Sequence, residues 1–105
     1  MTKGDVQTVQ VLKALADETR LEIVRMLCKE QLCGGEILER FDITQPTLSY
    51  HMRILVSSGL VAGRRNGAWV CYSLNRDFFD AARKQLCRFC EQMNSIKDEA
   101  HTADR

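Results

Sequence analysis

Three groups of side chains in this sequence have the types and spacing to do chemistry. The stretch ITQPTLSYHMR, Ile43 to Arg53, crowds two threonines, a serine, an amide, a phenol and an imidazole into the opening of one helix. A helix start needs a single polar cap, so the remaining groups must face something else. Amides and hydroxyls of this kind match the mixed donors and acceptors on base edges in a major groove. The second group is Arg64-Arg65-Asn66-Gly67, whose guanidiniums suit phosphates or a minor groove. The third is five cysteines, Cys28, Cys33, Cys71, Cys87 and Cys90. Thiolates take soft ions or undergo redox chemistry.

Charge along the chain supports the first two groups. The formal net charge is +1, yet residues 1–44 carry six basic and eight acidic side chains, and residues 68–105 carry six of each. Between Gln45 and Gly67 there are three arginines, Arg53, Arg64 and Arg65, and no acid. That is a local basic patch on a nearly neutral protein.

The 105 residues suit one domain, 1–105, and 45% hydrophobic with 28% charged content is ordinary for a globular chain. No apolar run approaches the ~20 residues needed to span a membrane. The opening MTKGDVQTVQ lacks the apolar core of a signal peptide. The expectation is a cytoplasmic protein with no membrane partner. An odd cysteine count without a secretory signal argues against a disulfide framework. No nucleophile–base pair, phosphate loop or carboxylate pair is visible. Cys87-Arg88-Phe89-Cys90 has redox-pair spacing, but it lies deep in a helix rather than at a helix start beside a βαβ unit. The chain does not read as an enzyme.

These groups need elements to position them. Val6, Val9, Leu12 and Leu15 predict a helix over about residues 5–16. Asp17 caps a second helix, expected to bury Leu21, Val24, Leu27 and Cys28. Gly34 and Gly35 interrupt, and a short third helix carries Ile37, Leu38 and Phe41. Thr44 caps a fourth helix with Pro46 in its first turn, which runs to about Ser57 and stops at Gly59. Its buried stripe is Leu48, Met52 and Leu55. Two strand-like runs, Leu60–Arg65 and Ala68–Leu74, flank Asn66-Gly67, a hairpin signal because both residues accept positive φ. Val70, Tyr72 and Leu74 should face inward, with Trp69 and Cys71 on the other face. A last helix over about 77–97 carries Phe79, Ala82, Leu86, Phe89, Cys90 and Met93 on one stripe, and 98–105 is a frayed tail.

The fold class is mainly α with a small β-hairpin wing, a winged helix-turn-helix in the order α-α-α-α-β-β-α. With Leu48 inward, Pro46, Tyr50, Arg53 and Ser57 project to the opposite side of the fourth helix. The expected DNA contacts are Gln45, Thr47, Ser49, Tyr50, His51 and Arg53 on this helix, with Arg64, Arg65 and Asn66 on the hairpin. His51 stands at the core edge of the helix. One helix-turn-helix with three arginines makes few phosphate contacts, so a homodimer on an inverted repeat of double-stranded operator DNA is expected.

The runs ALADETRLEIVRML, ITQPTLSYHMRILVSSGLV and RRNGAWVCYSL resemble the winged helix-turn-helix repressors of the ArsR/SmtB family, over roughly residues 10–75. The resemblance implies a homodimer joined through its first and last helices. It also implies operator binding that ends when a metal ion, a metalloid or a thiol-modifying signal is sensed. It places the recognition helix at Gln45–Ser57 and the wing at Arg64–Gly67. Arsenic-responsive members open helix three with Cys-x-Cys-x-x-Cys; here the corresponding Cys33-Gly34-Gly35-Glu36-Ile37-Leu38 keeps only the first cysteine. Zinc-sensing members use histidines and carboxylates on the last helix, where this chain has Phe78, Phe79, Phe89 and two cysteines.

Cys87 and Cys90, at i and i+3, share a helix face. If helices two and five pack antiparallel, Cys28 approaches that pair, and Cys33 follows just beyond helix two. Cys28 reads equally well as a packing residue, and Cys71, alone on the wing, reads as one. The candidate metal ligands are therefore Cys28, Cys33, Cys87 and Cys90. Three soft thiolates without a histidine suit arsenite or antimonite, alternatively cadmium, lead or mercury. Neither His51 nor His101 reads as a ligand, and no obligatory cofactor is expected. The alternative keeps the DNA-binding module and makes it a sensor of redox state or persulfide. There Cys28 and a helix-five cysteine would bridge helices two and five, as in some members of the family.

Overall fold

The first helix, α1 (Lys3–Leu15), begins at a reciprocal cap in which the Thr2 hydroxyl accepts the Asp5 N–H and the Asp5 carboxylate accepts the Thr2 N–H. This is a computed structural model; it describes residues 1–100, and side chains as far as residue 96. The elements after α1 are α2 (Glu18–Leu27), β1 (Leu32–Cys33), α3 (Gly34–Leu38), α4 (Gln45–Ser57), β2 (Val61–Asn66), β3 (Trp69–Leu74) and α5 (Arg76–Ala100). The frayed tail expected over 98–105 lies beyond the described side chains, and 101–105 lie outside the described residues altogether.

The order differs from expectation by one strand. β1 is two residues long and pairs antiparallel with β3, so the hairpin becomes a three-stranded sheet in the order β1-β3-β2. A two-residue strand carries no periodicity from which to read it. α3 also starts earlier than expected, at Gly34 itself. The indole of Trp69 packs over the two glycines, and a Cβ at Gly35 would stand 3.0 Å from Trp69 Cε2. The glycines make room for that ring rather than interrupting the chain.

The core lies between α1, α2, α4 and the sheet, with Ile23, Leu32, Ile37, Met52, Leu55 and Leu60 fully buried. α4 presents Leu48, Met52 and Leu55 inward as expected, capped by Thr44 with Pro46 in its first turn. It ends at Ser57 with Ser58 as its C-cap, and Gly59 follows at φ +91. A side chain there would also meet the Phe78 ring at 2.9 Å, so both conformation and space require glycine.

Three expected stripes prove different. α2 buries Ile23, Val24, Met26 and Leu27, whereas Leu21 and Cys28 are exposed. α1 turns Thr8, Val11 and Ala14 to the core. It leaves Val6, Val9 and Leu12 more than 40% exposed. On α5, Ala82 is buried while Leu86, Phe89, Met93 and Ile96 are exposed. Apolar periodicity marks both faces of an element that has two neighbours, and it does not say which neighbour belongs to the same chain.

The hairpin turn is also displaced by one residue. Asn66 pairs with Trp69, so the two turn residues are Gly67 and Ala68. Of these two only Gly67 has positive φ, +66. Glycine at the first turn position is the demand of a type II′ hairpin, rather than the type I′ turn that Asn-Gly would give. Among the described residues no helix is long and apolar enough to cross a membrane.

Candidate nucleic-acid interface

The outer face of α4 is built from its cap outward. The Thr44 hydroxyl accepts the Thr47 N–H at 3.3 Å and donates to the Thr47 hydroxyl at 3.0 Å. The Thr47 oxygen is thereby used and its own proton is free to point outward. Gln45, Thr47, Ser49, Tyr50 and Arg53 are all exposed. No acidic residue occupies the first turn of α4. Pro46 has no N–H and the Thr47 N–H is held by the cap, so what that end offers an anion is the partial positive charge of the helix dipole rather than a row of free donors.

His51 is the exception among the expected contacts. It is buried on the inner side of α4, where the Arg20 guanidinium donates to its Nδ1 at 3.2 Å and the Asp17 carboxylate lies 3.8 Å away. Arginine cannot accept, so Nδ1 is the acceptor and the ring proton sits on Nε2. Arg20, itself buried, also donates from Nε to the Ala14 carbonyl at 2.7 Å. This cluster joins the end of α1, the start of α2 and the middle of α4. His51, expected on the outer face, instead ties the inner side of α4 to α2. Residue 51 is one position before Met52 and three after Leu48, and the inward stripe reaches far enough round α4 to include it.

Arg64, Arg65 and Asn66 are exposed on β2, an edge strand of the sheet. The Asn66 amide donates towards Cys71 Sγ at 3.7 Å. With α4 they form one basic surface without a carboxylate between Gln45 and Gly67.

The cysteines are arranged otherwise than expected. Cys33 and Cys71 are register partners across β1 and β3, and their sulfurs form a disulfide. Cys71 is therefore not alone on the wing, and an odd cysteine count does not prevent this one pair from bonding. Their sequence separation of 38 residues left no spacing signal. The free thiols are Cys28, Cys87 and Cys90, all exposed. Cys28 borders a groove whose other wall includes Phe79. Cys87 stands eight residues further along α5, roughly 12 Å at 1.5 Å per residue. One chain therefore does not bring Cys28 to the Cys87/Cys90 pair. Among the described residues no three histidine, cysteine or acidic side chains are gathered to hold a metal ion.

A helix-turn-helix with a three-stranded wing and an acid-free outer face defines the chain as a winged helix-turn-helix DNA-binding protein. Residues 17–62 match the family of bacterial regulatory proteins described as arsR. The arsenical resistance operon repressor of Staphylococcus xylosus is 45% identical over 76 residues, 72% of this chain and 73% of that one. The transcriptional activator HlyU of Vibrio cholerae is 36% identical over 94 residues, 90% of this chain and 87% of that one. A solved HlyU structure superposes with a TM-score of 0.69 at 33% identity, covering 86% of this chain and 99% of that one. The homodimeric winged helix-turn-helix DNA-binding domain from Mycobacterium bovis superposes with a TM-score of 0.63 at 27% identity, over 94% and 87%. The chain belongs to the arsR family of transcriptional regulators.

Proposed function

We propose that the protein is an operator-binding repressor that leaves DNA when a thiophilic ion, arsenite or antimonite first, is bound by its cysteine thiolates. The observation that carries the DNA-binding part is the exposed face formed by Gln45, Thr47, Ser49, Tyr50 and Arg53 with Arg64, Arg65 and Asn66, free of acids throughout. α4 enters the major groove with its first two turns, and the arginines of the wing hold phosphates beside it.

The functional unit in this reading is a homodimer on an inverted repeat. The exposed stripes Val6, Val9 and Leu12 on α1 and Leu86, Phe89, Met93 and Ile96 on α5 support it. Cys90 falls on the α5 stripe, four residues after Leu86 and three before Met93, with Cys87 one turn away. A dimer seam there would bring thiols of two chains together. Of the four candidate ligands Cys28, Cys33, Cys87 and Cys90, the three outside the disulfide are free in this state. Thiolates without histidine favour arsenite or antimonite, and secondarily cadmium, lead or mercury.

The test is a titration of the reduced full chain, bound to its selected operator, with arsenite, antimonite, cadmium, zinc and a persulfide donor. Release by the first two at the lowest concentrations is the expected result. Release only by zinc would overturn the choice of inducer.

A further inference from the structure

Cys33, Cys71 and Arg64 share one rung of the sheet. Cys71 is the register partner of Cys33 on one side and of Arg64 on the other. Directly opposed residues of antiparallel strands project from the same face, so the disulfide stands beside the Arg64 side chain. The Asn66 amide reaches Cys71 Sγ as well. Two of the wing residues assigned to DNA therefore border the bond. The bond also closes a covalent loop of 38 residues' separation. Every DNA-facing residue named above, from Gln45 to Asn66, lies inside that loop. Both cysteines are half-buried, which leaves the sulfurs within reach of a small reagent.

We propose that Cys33 and Cys71 are a reversible oxidation site whose co-reactant is a hydroperoxide, and that the disulfide tightens operator binding. The proposal rests on the DNA-binding reading and is independent of the thiophilic-ion reading. In the reduced protein, the Cys71 sulfur attacks one peroxide oxygen. The O–O bond breaks, the leaving hydroxide takes the thiol proton as water, and Cys71 becomes a sulfenic acid. The Cys33 thiol then attacks that sulfur, forming the S–S bond and expelling a second water. Two electrons pass from the two sulfurs to one hydrogen peroxide, giving two waters. Small thiols reverse the reaction by exchange. Cys71 is the residue oxidised first because the Arg64 cation on its rung favours the nucleophilic thiolate. Cys33 has a carboxylate at hand instead, with its N–H donating to Glu36 at 2.7 Å.

The mechanical consequence follows from how little else ties β1 to the wing. Only the pairs Leu32–Tyr72 and Cys33–Cys71 join β1 to β3. With the bond closed, the middle of β3 is tied covalently to the residue before α3, in addition to the packing of Trp69 on Gly34 and Gly35, and α3 precedes the recognition helix. A preorganised pair of DNA-contacting elements loses less freedom on docking, so the oxidised form binds more tightly.

The test uses the full chain, duplexes selected from randomised DNA by reduced and by peroxide-treated protein, and anisotropy titrations at fixed salt. Peptide mapping without reductant should find the 33–71 bond after peroxide. Affinity should rise at least about fivefold, the low end of coupling between two sites, and dithiothreitol should reverse it. Cys71→Ser and Cys33→Ser should each bind like reduced wild type whether or not peroxide is added. The Cys28→Ser/Cys87→Ser/Cys90→Ser variant should keep the response. A different pairing in the peptide map, equal affinities with the bond formed, or a response surviving in Cys71→Ser would each overturn the proposal. If neither state selects any duplex, the DNA-binding reading itself fails; if both select one and ignore peroxide, only the oxidation site does.

Discussion

Arg20 and His51 meet inside the protein, guanidinium to Nδ1 at 3.2 Å, and their hydrogen bond seats the recognition helix on α2. Both residues are buried, so deleting one leaves the other's polar group without its partner. Arg20→Ala should cost about 1–3 kcal/mol in urea unfolding. His51→Ala should cost less, because Arg20 keeps its bond to the Ala14 carbonyl. Both should weaken operator binding while leaving its salt slope unchanged, since neither residue meets phosphate. A reduced salt slope in His51→Ala would return that residue to the DNA face.

Asp17 supplies a pH dependence. Its carboxylate accepts the Arg20 backbone N–H at 3.0 Å, which holds its pKa below the ordinary 3.8; burial works the other way, and the Arg20 charge adds to the lowering. The folded chain therefore binds this proton less readily than the unfolded chain. Stability from this group is complete above the ordinary value and is lost as pH falls through the lower, folded one. Asparagine also caps helices well but does not titrate. Asp17→Asn should thus flatten the decline of stability below about pH 4 while changing little near neutrality. Urea midpoints measured across that range check it; parallel curves for the two proteins would assign the decline to other carboxylates such as Asp5 and Asp80, whose pKa values are also lowered.

The residues proposed to meet DNA should divide by role. Arg64→Ala or Arg65→Ala should weaken binding to all sequences alike and lower the salt slope by about one for each phosphate no longer neutralised. Gln45→Ala or Tyr50→Ala should instead reduce the preference for operator over random DNA, by about 1–3 kcal/mol where the side chain hydrogen-bonds a base edge. Competition titrations at several salt concentrations separate the two, and equal losses of specificity in both groups would contradict the division.

The proposal of a dimer rests on exposed apolar side chains. Phe89 is 48% exposed and Met93 59% exposed on α5, a cost in water that a partner helix would remove. Phe89→Glu should therefore shift the protein to monomer in analytical ultracentrifugation and abolish tight operator binding while leaving the single chain folded. A wild type that sediments as a monomer at operator-binding concentrations would end the reading.

The helix-turn-helix was legible because its signals are local. Thr44, Pro46 and Gly59 mark the ends of α4, and Leu48, Met52 and Leu55 mark its inner face. The wing was legible in its strands but not in its turn, since Asn66-Gly67 fits either of two registers until the pairing is known. What could not be read depends on neighbours distant in sequence. β1 exists only because β3 lies beside it, Gly35 is small because Trp69 covers it, and Cys33 meets Cys71 through that same pairing. The inward turn of His51 depends on Arg20, 31 residues earlier. The apolar stripe of α5 was visible, but its exposure in a single chain was not.

The inducer prediction concerns Cys87 and Cys90. They stand one turn apart on the exposed side of α5, and the Arg83 guanidinium lies 4.0 Å from Cys87 Sγ. Two thiolates at i and i+3 can hold one soft ion, and a third must come from elsewhere, because Cys28 borders the groove at Phe79, eight residues before Cys87 on α5. A dimer seam along α5 would supply it from the partner. Binding there would alter the seam that sets the distance between the two recognition helices, and by linkage the ion must bind free dimer more tightly than DNA-bound dimer, typically by about 1–3 kcal/mol. Cys87→Ser/Cys90→Ser should lose release by arsenite and antimonite, whereas Cys71→Ser should retain it. Isothermal titration should show one ion per dimer, and a stoichiometry that persists in the double variant would move the site away from α5.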